Sequence, residues 1–160
     1  MALWVVAFVA VAASRVFLLV LAALAALIAV TYLVRRWRRA IAVREFRAAF
    51  SGKDLLLVYT DSPHWKDYIE GNWVQRWPDR VVTLNRSRPW SHTQPEAVLW
   101  LRLKGFVEHT PMAIIVPQRG AVRVVRFFKA FRDFKHGNAV PLHMAEDEVV
   151  DALQSSDRNS

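Results

Sequence analysis

From Ala2 to Val34 the chain is almost unbroken apolar sequence, with Arg15 its one charged residue, and positions 16–34 carry no charge at all. As a helix these 19 residues extend about 28 Å, close to the ~30 Å hydrocarbon core of a bilayer. A helix without a polar face has no place on the surface of a small soluble domain. The pattern therefore predicts an anchor region at 1–34, with a membrane span at about 16–34. The run before Arg15 is too short for a second full span. It either extends the same helix or lies at the interface, with Trp4 at headgroup depth. A secretory signal cleaved near Ala12-Ala13-Ser14 is the alternative, and it lacks the basic amino-terminal segment such signals carry.

Beyond Val34 the pattern changes. Positions 35–50 have helical spacing without one apolar stripe, since Trp37 and Ile41 share one face while Val43, Phe46 and Phe50 share another. Ser51-Gly52 then breaks the segment. The expectation is a basic juxtamembrane helix and linker over 35–52.

From Lys53 to Gln154 strand-like and helix-like stretches alternate. The continuous apolar run Leu55-Leu56-Leu57-Val58-Tyr59 predicts a strand buried on both faces. Asp61 and Ser62 before Pro63 mark a helix start, and the helix is predicted over 63–77 with Trp65, Ile69, Trp73 and Trp77 as its buried stripe. A second strand is predicted at 81–84 and a second helix at 95–104, closed by Gly105. Strands at 112–116 and 121–127 are joined by a short Gly-containing link and predict an antiparallel hairpin. Helices at 128–136 and 145–154 follow, and 155–160 is predicted to fray.

The formal net charge is +8, which invites a nucleic-acid reading until its distribution is considered. Arg35, Arg36, Arg38, Arg39, Arg44 and Arg47 crowd the carboxyl side of the apolar run, opposed there by Glu45 alone. By the positive-inside rule the first four set the orientation, placing the domain in the cytoplasm on a single-pass protein of the cell (inner) membrane. A bilayer is thus the first partner the sequence implies. The chain has no cysteine, which excludes disulfide scaffolds, thiolate metal sites and cysteine nucleophiles.

Thr110-Pro111 directly before the third predicted strand, Arg119-Gly120 in the hairpin after it, and Ser62-Pro63-His64-Trp65 directly after the first strand together resemble the thioredoxin-like superfamily. The resemblance covers about 54–153 and implies an α/β fold: an N-terminal transmembrane helix followed by a thioredoxin-like βαβαββα domain over 53–154. It further implies a cis proline at Pro111, whose loop lies beside the amino end of the first helix. Redox members carry two cysteines where this chain has Ser62 and Trp65. Neither a hydroxyl nor an indole forms a mixed disulfide, so thiol–disulfide exchange is excluded.

The candidate ligand-binding residues are therefore Asp61, Ser62, His64, Thr110 and Pro111. A helix amino end with open N–H donors suits an anion or thiolate, and an ordinary helix cap explains the same residues. The five histidines have no HxH or HxxxH spacing, so no metal site is expected, and no catalytic residue set or cofactor motif is present. A second candidate surface is basic: Arg119, Arg123, Arg126, Lys129, Arg132 and Lys135 interleave with Phe127, Phe128, Phe131 and Phe134. It suits anionic lipid better than RNA, for which no recognition motif accompanies the charge. Trp90 and Trp100 are candidates for docking a partner. The function expected is that of a redox-inactive binding or scaffold module with an unidentified protein partner. A thiol- or glutathione-binding enzyme using Ser62 is one alternative, and an electrostatic binder of anionic membrane or nucleic acid is another.

Overall fold

The computed structural model describes residues 2–106 and 109–158, except for the side chains of 2–16. The interfacial role expected of Trp4, the Ala12-Ala13-Ser14 region and the last two residues of the tail lie outside what is described. The elements in order are α1 (Ala2–Ala49), β1 (Leu55–Tyr59), α2 (Lys66–Tyr68) continued as a π-helix (Ile69–Val74), β2 (Val81–Asn85), α3 (Pro95–Leu103), β3 (Met112–Ile115), β4 (Arg123–Arg126), α4 (Phe128–Lys135) and α5 (Val140–Arg158).

Two compact units divide the chain, 1–38 and 39–160. In the first, every side chain from Phe17 to Arg38 is exposed, including Phe17, Leu21, Leu27 and Trp37. This is the one helix, among the described residues, long and apolar enough to cross a membrane. So much uncovered apolar surface is untenable in water and ordinary in hydrocarbon.

The second unit is built on a four-stranded mixed sheet in the order β2-β1-β3-β4. β1 runs parallel to β2 with Leu55 opposite Val81, and antiparallel to β3 with Leu55 opposite Ile115. β3 and β4 form the predicted antiparallel hairpin, Ile115 opposite Arg123. Side chains alternate across the sheet, and both faces are covered. Leu55, Leu57, Ala113, Ile115, Val125 and Phe127 face Ile69, Trp73 and helices α4 and α5. Leu56, Val58, Leu84, Ile114 and Val116 face Ala42 and Phe46 of α1 and Ala97, Leu99 and Trp100 of α3. That is why β1 reads as an unbroken apolar run: all five of its residues are buried.

Three boundaries differ from the sequence expectation. Where the sequence predicts a linker at 35–52, the compact unit begins at Arg39, and Phe46 is fully buried against the sheet. The second apolar face of that helix, Val43, Phe46 and Phe50, is what the sheet receives. Arg47 Nη2 donates to Pro117 O from the same helix. The helix predicted over 63–77 contains only a turn at its start, with α-helical residues beginning at Lys66. Residues four apart drift by about 40° per step around an α-helix. A wider π turn offsets that drift, which keeps Trp65, Ile69, Trp73 and Trp77 toward one core. Finally, α5 starts five residues before the predicted 145, since Asn138 Oδ1 accepts from Val140 N (3.3 Å) and Pro141 suits a first turn. It also persists through Arg158 with Ser156 buried, so most of the predicted frayed tail is helical.

Candidate functional site

The loop after β1 is tied down by side chains from three places. The Asp61 carboxylate accepts from Asn85 Nδ2 (2.7 Å) and pairs with Lys66 (3.3 Å), while Asp61 N donates to Ser87 Oγ (3.0 Å). The Asn85 bond, then Lys66, hold Asp61 below the usual carboxylate range. Ser62 Oγ accepts weakly from His64 N (3.4 Å), and Ser62 O accepts from Trp65 N and Lys66 N. Trp65 Nε1 donates to Thr60 Oγ1 (3.3 Å). Ser62 thus organises a turn several residues ahead of a three-residue α-helix, and its neighbour is an ionised carboxylate. The expected constellation of open helix-end donors for a thiolate is not formed there, and negative charge beside Ser62 opposes one.

The Thr110–Pro111 peptide is cis, and both residues are buried at the start of β3. Phe127 N donates to Pro111 O (2.9 Å), which brings the end of β4 alongside. Phe128 then joins the two candidate loops. His109 stacks on its ring at 4.5 Å with 12° between planes, and Trp65 meets it edge-on at 6.2 Å. His64 lies at 6.4 Å from Trp65, and Lys135 Nζ approaches His64 Nε2 at 3.4 Å. His64 and His109 are exposed, and Trp65 and Phe128 half-buried. The structure therefore links His64 and His109 through Trp65 and Phe128, with Thr110–Pro111 adjoining through the bond from Phe127 N to Pro111 O, while Asp61 is occupied by its own lysine and asparagine. Sequence reasoning assigns Trp65 to the core stripe and Phe128 to the basic stretch. The available signal was an aromatic immediately after β4, at the same sheet end as the Thr-Pro loop.

The basic stretch does not form one face. Arg119, Arg123, Arg126, Lys129, Arg132 and Lys135 are all exposed, but Arg123 and Arg126 are three residues apart on β4 and point to opposite sides of the sheet. Arg119 and Arg123 line a cavity of about 120 Å³ beside Ala152 and Ser156 of α5. Arg126 Nη2 donates to Lys104 O (3.3 Å), and Arg132 lies 3.6 Å from Asp133. Of the orienting arginines, Arg35, Arg36 and Arg38 are exposed in the first unit, and Arg39 belongs to the second, where its Nε donates to Arg102 O (3.2 Å). The docking role expected of Trp100 is not available: the residue is 1% exposed, with Trp90 packed edge-on at 5.6 Å and Arg86 over its ring at 4.4 Å.

Two phenols are held neutral near these elements. Tyr59 donates to Glu70 Oε1 (2.9 Å), and Tyr68 donates to Glu146 Oε1 (2.8 Å), which also accepts from Trp73 Nε1 (2.7 Å). Burial first, then these carboxylates, push both tyrosines up to about 12. A folded-state value above the unfolded ~10 contributes stability that is fully present below pH ~10 and is lost as pH rises through about 12. Ultraviolet titration of phenolate is expected to show Tyr68 ionising late in the native chain and closer to pH ~10 in Glu146→Gln. An unchanged Tyr68 midpoint in that variant would refute the assignment.

Comparison with protein-family models, curated proteins and solved structures found no match for this chain.

Proposed function

We propose that the chain is a single-pass membrane protein whose second unit is a cysteine-free, thioredoxin-like domain acting as a binding module. It acts through the surface formed by His64, Trp65, His109 and Phe128. One observation carries the reading: two sequence-distant loops, after β1 and before β3, meet on Phe128 and leave two imidazoles exposed on an aromatic floor. Half-buried aromatic rings with polar edges are the side chains that anchor a partner efficiently. The sheet order and the cis Thr110–Pro111 peptide support the thioredoxin-like scaffold. The absence of cysteine favours binding over redox exchange. An extended peptide laid across the Thr110–Pro111 loop is the occupant that suits such a surface. The arginines after the apolar run favour a cytoplasmic placement of the domain.

The test is site-specific photo-crosslinking in native membranes. A photoreactive residue at 64 or 109 is expected to capture one recurrent protein band that the same residue at exposed position 120 does not, and Phe128→Ala is expected to abolish the band. Equal patterns from all three positions would sink the binding reading. Orientation is tested separately by Arg119→Cys, which an impermeant maleimide is expected to label only after the membrane is opened.

A further inference from the structure

The carboxyl end of α3 is finished in an unusual way. Its last carbonyls are met by guanidinium groups from two other elements: Arg39 Nε donates to Arg102 O (3.2 Å) and Arg126 Nη2 donates to Lys104 O (3.3 Å). Cations at this end complement the helix dipole and satisfy carbonyls the helix itself leaves open. Gly105, at φ +75°, then turns the chain out of the helix, with Arg126 Nη2 3.7 Å from where a Cβ would sit. The next residue, Phe106, is 97% exposed. Scattered exposed apolar residues are ordinary. This one differs because it directly follows a left-handed glycine at a helix end that Arg39 and Arg126 clamp, with Arg102 in the last turn of that helix.

We infer that this end of the domain is a membrane-contact surface, with Phe106 entering the interfacial layer of an anionic bilayer and the three arginines lying at headgroup level. The bilayer is the one that α1 would span, so the inference rests on that reading. Chain length argues for this occupant. The apolar run ends at Val34, and Arg39 follows five residues later, a separation that no conformation stretches beyond about 18 Å. Arg39 is itself bonded to Arg102, four residues before Phe106. Whatever the orientation of the domain, Arg39 therefore stays within about 18 Å of the end of the apolar run, and its bond to Arg102 O ties the carboxyl end of α3 to that residue. Aromatic rings and basic residues together are the composition that interfacial binding selects.

The absence of native cysteine makes a single spin label unambiguous. Phe106→Cys and Met144→Cys, the latter at another exposed apolar position, 68% accessible, would carry the same nitroxide in the full chain, reconstituted in anionic and in neutral vesicles. The expected result is a severalfold higher ratio of oxygen to nickel-chelate accessibility at 106 than at 144 in anionic vesicles. High salt should reduce it by screening the arginines. A water-like ratio at 106 while the chain resists alkaline carbonate extraction overturns the contact and leaves the span standing. Extraction by carbonate overturns the span and the contact with it. A label at 106 shielded from both relaxants assigns the surface to a protein or a second copy, and refutes lipid as the occupant.

Discussion

A chain that begins at Lys53 is expected not to fold, whereas one that begins at Arg39 is expected to unfold as a single cooperative unit. The shorter chain is the domain as its sequence delimits it. It lacks Ala42 and Phe46, which are 1% and 0% exposed and lie in the same cluster as Leu56, Val58, Ile114 and Val116. Without them that sheet face is covered by α3 alone and the rest of it is open to water. Truncating one buried phenylalanine to alanine typically costs about 3–5 kcal/mol, against a total stability of about 5–15 kcal/mol for a domain. Losing the whole segment also removes the Arg47 bond to Pro117 O. Circular dichroism melting decides the matter, with Phe46→Ala in the longer chain as the intermediate case. A cooperative transition at the same temperature in both chains would show that α1 adds nothing to the core.

Arg80→Ala is expected to lower stability by about 3 kcal/mol or more, the usual effect of stripping one partner from a mostly buried ion pair. Asp54 is 6% exposed at the foot of β1. Arg80 Nε and Nη2 bind its two oxygens at 3.0 and 2.6 Å, and the same guanidinium reaches Asp157 (3.0 Å) and Leu153 O (3.2 Å) on α5. One side chain therefore joins the start of β1, the approach to β2 and the end of the chain. Its hydrogen bonds to Asp54 and Asp157 hold Arg80 even more firmly in the protonated form than usual. Alkali short of general unfolding does not release it. Removing the guanidinium leaves a mostly buried carboxylate without its bidentate partner. The paired change Asp54→Leu with Arg80→Met is expected to recover most of the loss, because apolar groups of similar volume often replace buried pairs at little net cost. A melting temperature within a degree or two of wild type for Arg80→Ala alone would contradict this assignment.

Much of the architecture was legible because the signals were local. A charge-free run long enough for a bilayer, an unbroken apolar strand and a Gly-containing hairpin link each carry their own meaning. What escaped depended on pairing across the fold. Phe46 and Phe50 lack a clean stripe because their partners are buried sheet residues supplied 6 to 70 positions later. Trp100 reads as a free anchor until Trp90 and Arg86 are seen to cover it. The candidate site was half legible: the Ser62 and Thr110-Pro111 segments were marked by composition and order. Their junction at Phe128 was hidden inside a basic run whose helical spacing already explained its aromatics. The apparent basic face was lost for the opposite reason, since linear proximity ignores the alternation that sends Arg123 and Arg126 to different sides of β4.

The central place of β1 has a consequence for the order of events during synthesis. Its parallel neighbour β2 is made about two dozen residues later and its antiparallel neighbour β3 more than fifty later. At about 5–20 residues per second, the apolar helix is free to reach a bilayer seconds before the sheet can close around β1. Ala42 and Phe46, already made, find their full packing surface only when α3 and β3 have joined β1 and β2. The apolar helix is thus complete before the domain can fold, and the nascent chain carries an uncovered strand until β2 and β3 have been made.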